Sequence, residues 1–230
     1  MSNGKHQGAN VHIQKCPEYK DFFEQKIWSD NGFVCGIDEV GRGCLAGPVV
    51  ACAIILTEKS IPSIIRDSKE ISAKKRLEAY NWIMEHCWYG IGVQNHVMVD
   101  RYNIYQATMR AMRKAVSHLL VNAARHPDLI LVDAMPLVTR STQAPVIAFC
   151  KGETFSSSIA AASIVAKVVR DQLMSRLDTT ITGFDMSSNK GYGTQKHRLG
   201  LSQQGPSIIH RKTFLKGINE KRTSGQQRFC

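Results

Sequence analysis

A short apolar run that ends in an acid limits the folds open to this chain more than any other feature. Pro127 precedes the residues L-I-L-V-D at positions 129–133. A strand without polar positions is typical of the centre of a sheet that is covered on both faces. The run therefore predicts a central strand in an α/β fold, with Asp133 at its carboxyl end.

Hydrophobic periodicity places further elements on both sides of this run. Strands are predicted at Phe33–Ile37, Val49–Leu56, Trp88–Val93 and Val146–Phe149. Helices are predicted at Tyr19–Trp28, at Ala73–Glu85, from an N-cap at Asn103 to Leu119, and at Ser158–Leu177. This order predicts an α/β fold with a five-stranded mixed sheet flanked by helices. We expect residues 1–30 to be a partly disordered extension, residues 31–180 the main domain, and residues 181–230 a small, basic, partly helical lobe and tail.

The formal net charge is +11, and most of it lies near the carboxyl terminus. Residues 186–230 contain nine Lys or Arg and one acid, Glu220. A basic segment of this kind indicates a polyanionic partner, most often nucleic acid. A solubilising tail and an acidic protein partner stay open from charge alone.

The cysteines and the amino terminus indicate a cytoplasmic protein with reduced thiols. The seven cysteines form no C-x-x-C motif, and several lie inside apolar runs. Their odd number argues against a disulfide framework, and their spacing argues against a zinc site. No apolar signal-peptide core is present near Met1, and the longest nearly apolar run, at residues 45–56, is too short to span a membrane.

Four acids that end or interrupt apolar elements form the candidate catalytic set. Asp38 and Glu39 end one strand, Asp133 ends the central strand, and Asp171 lies on the last long helix. Carboxylates at strand ends commonly gather at one edge of an α/β sheet. Converging carboxylates suit Mg²⁺ or Mn²⁺, and two such ions about 3.5–4 Å apart can activate a water against a phosphodiester. Each acid alone is also open to a structural role, such as an ion pair between Asp171 and a neighbouring basic residue.

Two glycine-flanked segments add candidate substrate contacts. In Gly41-Arg42-Gly43 the glycines let the backbone approach a ligand, and the arginine can bind a phosphate through two hydrogen bonds. Backbone groups at such a turn can also sense a ribose 2′-hydroxyl. In N-K-G-Y-G-T, Tyr192 offers a surface on which a sugar or base can stack. A plain tight turn and a core tyrosine are the alternatives for these two segments.

A series of ordered blocks covers about residues 33–215: G-I-D-E-V-G-R-G-C-L-A-G-P-V-V-A, D-S-K, N-I-Y-Q-A-T, P-D-L-I-L-V-D, K-G-E, S-I-A-A-A-S-I-V-A-K-V-V-R-D, N-K-G-Y-G-T and G-P-S-I-I-H-R-K-T-F. Together these blocks resemble the ribonuclease HII family. The resemblance implies a ribonuclease H-like mixed sheet with a helical basic C-terminal lobe. It also implies metal-dependent hydrolysis of the RNA strand in RNA–DNA hybrids. Nicking on the 5′ side of a single ribonucleotide in duplex DNA, leaving 5′-phosphate and 3′-hydroxyl ends, would serve ribonucleotide excision repair.

The resemblance also implies a role for each matching motif position. The metal-binding and catalytic acids, for two Mn²⁺ or Mg²⁺ ions, would be Asp38, Glu39, Asp133 and Asp171. The loop that reads the 2′-hydroxyl and the adjacent phosphate would be Gly41, Arg42 and Gly43. The side chain that packs on the nucleotide after the ribose would be Tyr192. Positions near the substrate backbone would be Ser68, Lys69, Lys151 and Ser163.

Three positions separate this chain from related patterns. Arg42 favours ribonuclease HII over ribonuclease HIII, which typically has G-T-G there. Ala134 stands where glycine is common, and Glu153 stands where K-G-D is usual. Neither change affects the four candidate acids.

Two other functions stay open, together with the question of partners. One is a related metal nuclease on the same fold that cuts DNA junctions or flaps, and the other is a non-catalytic hybrid-binding module. We expect a monomer that binds RNA–DNA hybrids and ribonucleotide-containing duplex DNA. The tail G-Q-Q-R-F-C matches a clamp-binding peptide poorly, so a sliding-clamp contact is an open hypothesis without support from the sequence.

Overall fold

A six-stranded mixed sheet lies at the centre of the structure, a computed structural model that describes residues 11–58, 60–66, 68 and 70–216. Its strands, in the spatial order β1-β6-β5-β2-β3-β4, are β1 (Val11–Ile13), β2 (Val34–Val40), β3 (Val49–Leu56), β4 (Cys87–Gln94), β5 (Leu129–Asp133) and β6 (Val146–Phe149). The pairs β2–β3 and β3–β4 are antiparallel, whereas β2–β5, β5–β6 and β6–β1 are parallel. The predicted α/β fold with a mixed sheet is therefore confirmed.

Helices cover both faces of this sheet. In the described residues they are α1 (Phe22–Ser29), α2 (Ala73–His86), α3 (His96–Asn122), α4 (Gly152–Phe155), α5 (Ser157–Asp178), α6 (Met186–Asn189) and α7 (Gln195–Gln204). Within that part of the chain, none of them has the combination of length and apolar character that crossing a bilayer requires.

The apolar run that predicted a central strand is β5, and it is buried on both sides. Leu129 and Leu131 pack in a cluster with Ile159 of α5, whereas Ile130 and Val132 pack in the cluster that α3 covers. Alternation along the strand sends neighbouring side chains to opposite faces, so a fully apolar strand needs a helix layer on each side.

One strand of the sheet was not predicted. β1 lies in the part of the chain that we expected to be a partly disordered extension, and it pairs in parallel with β6, with Val11 opposite Val146 and Ile13 opposite Ala148. The sheet therefore has six strands rather than five. Three residues are too few to show a period of two, and this strand forms because an existing sheet edge supplies its hydrogen-bond partners.

The start of α3 also differs from the prediction, although the predicted cap is present. Asn103 has φ 64° and ψ 167° and interrupts the helix. Its Oδ1 accepts the N–H of Gln106 at 3.0 Å, as an N-cap does. A further helical segment precedes it and begins at His96, where Asn95 provides a second cap by accepting the N–H of Met98 at 3.0 Å.

α5 crosses close to β2 because Gly36 leaves no side chain between them. A Cβ at Gly36 would lie 2.1 Å from the backbone carbonyl carbon of Ser158, which is far inside any permitted contact. The backbone of the helix therefore rests directly on the backbone of the strand. This contact fixes the distance between the strand that carries Asp38 and the helix that carries Asp171.

The carboxyl-terminal part packs on the end of α5 and on the segment after β2. Its apolar cluster comprises Leu45, Ala46, Met174, Phe184, Met186, Leu201, Ile209 and Leu215. An isolated β-bridge also joins Ala46 to His210. Residues 186–216, the described part of the basic C-terminal segment, thus pack beside the end of β2 that carries the candidate acids. The domain boundaries at residues 30 and 180 stay a prediction.

Two acids of the amino-terminal region dock on the first turn of α5. Asp21 accepts the backbone N–H of Ser157 at 2.6 Å, and Glu24 accepts the hydroxyl of Ser156. Glu24 is fully buried, and this burial, opposed by the Ser156 hydrogen bond and reinforced by Asp21, raises the pKa of Glu24 to about 7. The described protein gives the second carboxylate oxygen of Glu24 no hydrogen-bond partner.

Replacing Glu24 with Gln should flatten the pH dependence of stability. Because the folded pKa of about 7 exceeds the usual 4.5, the stabilisation is fully present below the unfolded pKa and is lost as the pH rises through 7. The shift corresponds to at most about 3 kcal/mol. We expect urea melts to show a falling free energy of unfolding for the unmodified protein between about pH 5 and about pH 8, a smaller fall for Glu24→Gln, and a more stable variant at the upper limit.

Glu18→Gln is the matched control, because Glu18 lies in the same region but is exposed. It should keep the slope of the unmodified protein. Equal slopes for Glu24→Gln and the unmodified protein would contradict the assigned pKa.

Candidate active site

Two of the predicted acids lie side by side because of the register between β2 and β5. These strands are parallel, and Ile37 lies opposite Val132, so the next residues, Asp38 and Asp133, are neighbours at the same sheet edge. Asp38 is only 4% exposed, whereas Asp133 is half-buried. Glu39 follows Asp38 on β2, and its backbone N–H donates to Oδ1 of Asp38 at 2.7 Å. Three of the four predicted acids are therefore gathered here.

The carboxyl group of Asp38 is buried among other carboxyl groups. Burial is the main cause that raises the pKa of Asp38 well above its usual range, and the charges of Glu39, Asp133 and Glu153 raise it further. A hydrogen bond from Ser163 opposes the shift. In the described part of the chain neither Asp38 nor Asp133 forms an ion pair with a basic residue. A buried carboxylate in this company is unfavourable until a proton or a cation joins it.

Hydrogen bonds hold the walls of this acidic cleft. The N–H of Gly152 donates to Oδ1 of Asp133 at 2.7 Å, which ties the turn after β6 to the end of β5. The hydroxyls of Ser68 and Ser163 lie 2.9 Å apart, and the N–H of Ser68 donates to Oε2 of Glu153 at 3.3 Å. The cleft has a volume of about 240 Å³ and is lined by Asp38, Glu39, Val40, Ser68, Arg76, Glu153, Ser163, Lys167 and Tyr192.

The fourth predicted acid, Asp171, does not line this cleft. Asp171 accepts from Nζ of Lys167 at 2.9 Å, one helical turn away on α5. It lines a separate groove of about 510 Å³, next to the cleft, that also contains Arg76, Arg176 and Lys190. The structural alternative raised by the sequence, an ion pair with a neighbouring basic residue, is thus present for Asp171.

The donors in the cleft fit a divalent cation by chemistry and charge. Asp38, Glu39 and Asp133 offer hard carboxylate oxygens, which Mg²⁺ and Mn²⁺ prefer. As the side chains stand, no three His, Cys, Asp or Glu residues of the described chain are grouped closely enough to hold a metal ion. A site that uses all four acids therefore requires the carboxylates of Asp38, Glu39 and Asp133 to move closer together, and Asp171 to leave Lys167.

The glycine-flanked arginine loop lies beside the cleft and faces Tyr192. Gly41 is buried with φ 94°, in the left-handed region, whereas Gly43 is exposed. Arg42 reaches back to Oε1 of Glu39 at 3.3 Å. A Cβ at Gly43 would lie 4.0 Å from Cε1 of Tyr192, so the exposed end of the loop and the tyrosine ring border the same space.

Tyr192 is neither a core residue nor a free surface side chain. It is 40% exposed, and burial of the remainder is the first cause that raises its pKa. The N–H of Tyr192 donates to the carbonyl of Asn189 at 3.0 Å, which closes the turn that presents the ring. A rigid, half-exposed aromatic beside an acidic cleft suits stacking on a nucleotide.

The remaining predicted positions divide into three groups. Ser68 and Ser163 line the cleft, as predicted for residues near a substrate. Lys151 is exposed at the N-cap of α4 and is not among the lining residues. Lys69 lies outside the described residues.

Sequence reasoning missed two basic residues of the cleft, Arg76 and Lys167, as lining groups. Arg76 donates from Nε to the carbonyl of Ser68 at 2.8 Å and from Nη2 to the carbonyl of Ile71 at 3.0 Å, and thereby holds one wall. No motif marked Arg76. For Lys167 the signal was its i, i+4 spacing to Asp171, which the sequence analysis treated only as an alternative to metal binding.

The structure shows the surroundings of Ala134 and Glu153, the two residues that depart from the usual family pattern. Ala134, directly after Asp133, has φ 53°, a left-handed conformation that costs a non-glycine residue about 1–2 kcal/mol. Glycine would occupy this position without that cost. Glu153 is 5% exposed and contributes to the crowding around Asp38.

Comparison with known proteins gives a consistent result over most of the chain. The family model described as Ribonuclease HII matches residues 35–216. A ribonuclease HII of Lachnoclostridium phytofermentans is 47% identical over 192 residues, which cover 83% of this chain and 73% of that protein. A ribonuclease HII of Enterococcus faecalis is 45% identical over 198 residues, which cover 86% of this chain and 75% of that protein.

Solved structures share the fold at lower identity. The ribonuclease H2 from Pyrococcus horikoshii OT3 has a TM-score of 0.66 at 23% identity, over 82% of this chain and 98% of that one. The RNase HII in a PCNA complex from Archaeoglobus fulgidus has a TM-score of 0.65 at 23% identity, over 78% and 94%. Bst-RNase HIII in complex with Mn²⁺ has a TM-score of 0.61 at 19% identity, over 85% and 71%.

Removing the partner of Asp171 should strengthen binding of Mn²⁺. Lys167→Met leaves the Asp171 carboxylate without its ammonium partner, so a cation no longer competes with Lys167 for that carboxylate. We expect isothermal titration calorimetry to show an association constant about twofold to fivefold higher than that of the unmodified protein, the range that corresponds to a partly exposed ion pair.

The control is Lys196→Met, which removes the ion pair between Lys196 and Asp185, 3.7 Å apart, in the carboxyl-terminal part. It should leave Mn²⁺ binding unchanged. An equal affinity for the unmodified protein and Lys167→Met would show that Asp171 takes no part in binding the ion.

Proposed function

The chain belongs to the ribonuclease HII family, and from that premise we propose that it is a metal-dependent endonuclease that hydrolyses the RNA strand of RNA–DNA hybrids. The observation that carries the proposal is the buried Asp38, surrounded by Glu39, Asp133 and Glu153 at one sheet edge. A loop suited to reading ribose and a half-exposed tyrosine border the same cleft.

Four side chains are the proposed metal ligands and catalytic residues: Asp38, Glu39, Asp133 and Asp171. Two Mn²⁺ or Mg²⁺ ions, when bound, would supply the positive charge that activates a water and stabilises the leaving oxygen of the phosphodiester. Asp38 and Asp133 are held in place for this role by the hydrogen bonds from Glu39 and Gly152. Lys167 is the ion-pair partner of Asp171 in the structure, and a bound metal ion would replace Lys167 as the partner of that carboxylate.

The protein groups beside the acids are proposed to select the substrate. The backbone of Gly41-Arg42-Gly43 would contact the 2′-hydroxyl and the adjacent phosphate, while Tyr192 packs on the following nucleotide. This arrangement supports a finer proposal, a nick on the 5′ side of a single ribonucleotide embedded in duplex DNA. The products would carry 5′-phosphate and 3′-hydroxyl ends and would enter ribonucleotide excision repair.

Other parts of the chain are proposed to contact the sugar–phosphate backbone of the duplex. Ser68 and Ser163 line the cleft, and Lys151 is a proposed contact beyond it. Lys69 is a proposed contact on the family resemblance alone. The basic segment from residue 186 onward would neutralise phosphates and make binding dependent on salt.

We also propose that the protein is a monomer and acts in the cytoplasm. Residues 31–180 would form the catalytic domain, and residues 181–230 would form the basic lobe and tail. The six described cysteines are free thiols. A sliding-clamp contact is a hypothesis that rests on the Archaeoglobus fulgidus PCNA complex alone, because the tail lies outside the described residues.

Replacing Asp133 with Asn should abolish cleavage and leave hybrid binding intact. The amide keeps the size of the side chain but removes one of the charges proposed to hold the metal ions. We expect a loss of about a thousandfold or more in the single-turnover rate on an RNA–DNA hybrid, with a dissociation constant within about threefold of the unmodified protein.

Asp128→Asn is the matched control, because Asp128 stands just before β5 and bonds the N–H of Phe33 at 2.8 Å. It should retain the cleavage rate. Retained turnover in Asp133→Asn would remove the metal-cluster account.

Mapping the cut in a duplex with one ribonucleotide tests the finer proposal. In Mg²⁺ and in Mn²⁺, the product should end in a 3′-hydroxyl immediately 5′ of the ribonucleotide. The same duplex made entirely of DNA should stay intact, because it lacks the 2′-hydroxyl. Equal cutting of the all-DNA duplex would favour a nuclease for DNA junctions or flaps.

A further inference from the structure

Two fully buried arginines support the loops that face the substrate. Arg170, the residue before Asp171 on α5, is 0% exposed. Its Nε donates to the carbonyl of Pro48 at 2.9 Å and its Nη1 to the carbonyl of Lys190 at 2.8 Å. One side chain thus joins the segment after the glycine-flanked loop to the turn that presents Tyr192.

Arg211 holds the glycine-flanked loop itself. It is also 0% exposed and comes from the carboxyl-terminal part of the chain. Its Nη2 donates to the carbonyl of Gly41 at 2.7 Å, its Nη1 to the carbonyl of Arg42 at 2.9 Å, and its Nε to the carbonyl of Gly47 at 3.0 Å. A single guanidinium therefore fixes both peptide groups of the loop and the turn that follows.

The two arginines fit tightly under the loop. A Cβ at Gly41 would lie 2.2 Å from Nε of Arg170, so the loop can approach that side chain only with glycine there. The guanidinium carbon of Arg170 lies 6.0 Å from the centre of the Tyr192 ring. The two loops therefore share one rigid base.

Neither arginine is paired with an acid in the part of the chain that the structure describes. Burial without a close carboxylate lowers the pKa of Arg211 to about 10. Two buried cations are expensive for a fold to retain, and their hydrogen-bond partners here are main-chain carbonyls. Their retention beneath the substrate loops indicates a role that an apolar pair could not fill.

The orientation of the peptide groups shows what that role is. In a trans peptide the C=O and the N–H point in opposite directions. The carbonyls of Gly41 and Arg42 point to Arg211, so the N–H groups of Arg42 and Gly43 point away from it. No described residue accepts a hydrogen bond from either N–H. Both are donors on the side of the loop opposite the buried guanidinium.

We propose that Arg170 and Arg211 are positioning residues for ribose recognition. They fix the N–H groups of Arg42 and Gly43 and the turn that presents Tyr192 in one arrangement. This inference rests on the proposed function, because it assigns to the buried arginines the geometry of the loops that read the ribose.

Lysine cannot replace either arginine in this role. A lysine keeps the positive charge but has one nitrogen, whereas Arg211 uses three nitrogens on three carbonyls and Arg170 bridges two loops. Arg→Lys therefore separates geometry from charge. The loops would lose their fixed spacing while the local field stays positive.

The experiment measures how strongly the protein prefers a ribonucleotide-containing duplex over an all-DNA duplex. Every sample carries Asp133→Asn, so that the duplex is not cut during the binding measurement. Dissociation constants are measured in Mg²⁺ for a duplex with one ribonucleotide and for the same duplex made of DNA. We expect Arg170→Lys and Arg211→Lys each to reduce the ratio of the two affinities by about tenfold or more, as for lost hydrogen bonds to a charged group. Affinity for the all-DNA duplex should stay within about twofold, because the charge is kept.

Arg113→Lys is the matched control, because Arg113 also donates from Nε to a backbone carbonyl, that of Val138, at 2.8 Å, but on α3. It should keep the selectivity of the Asp133→Asn parent. Circular dichroism and the melting temperature establish that each variant is folded at the temperature of the assay. If one lysine variant does not fold, the other decides the question.

Each other outcome has a defined meaning. Selectivity equal to that of the parent in a folded lysine variant would overturn the positioning role. Failure of both lysine variants to fold would also overturn it, because the arginines would then support the whole structure and not the loops. A parent without selectivity, together with an unmodified protein that does not cut hybrids, would instead contradict the proposed function.

Discussion

The crowding of carboxyl groups around Asp38 is the constraint on which the rest of the structure depends. The parallel register of β2 and β5 brings Asp38 beside Asp133, and close contact of α5 with β2 at Gly36 closes the space above them. Burial and the neighbouring charges raise the pKa of Asp38, so an ionised carboxylate there is unfavourable until a proton or a cation joins it. Crowded carboxyl groups with a raised pKa are typical of a site that binds a ligand.

Opposite charges lie on the two sides of the glycine-flanked loop, Gly41-Arg42-Gly43. The cleft before it is acidic, whereas Arg170 and Arg211 lie beneath it, with hydrogen bonds only to carbonyls. Cleavage of an RNA–DNA hybrid would use both sides. The acids would gather cations at the scissile phosphate, and the loop would hold the strand through hydrogen-bond donors, which the acids lack. Since Arg170 and Asp171 are adjacent on α5, the same helix turn carries a proposed positioning residue for ribose recognition and a proposed metal ligand.

The fold could largely be predicted from the sequence where a pattern was long or fully apolar. The bounds of β3, β5 and β6 were predicted without error, because each is a continuous apolar strand. β1 could not be predicted, since its three residues form a strand only through pairing with β6. The early start of α3 was missed because Asn103 is a true cap inside a longer kinked helix.

The sequence indicated candidate site residues, but it did not indicate their arrangement. Acids at strand ends indicated which residues gather, and the register confirmed this for Asp38 and Asp133. The position of Asp171 depends on competition between Lys167 and the cleft, which spacing alone does not decide. Arg170 and Arg211 lie inside two of the blocks that match the family, but the sequence did not indicate their role, because their partners are backbone carbonyls far away in the sequence.

The most direct test of the account is a crystal structure of the protein with Mn²⁺ and an uncut hybrid, with the metal located by anomalous scattering. The account predicts metal within coordination distance of Asp38 and Asp133, and Asp171 turned from Lys167 towards it. An empty cleft, or metal bound elsewhere with the Lys167–Asp171 pair intact, would contradict it.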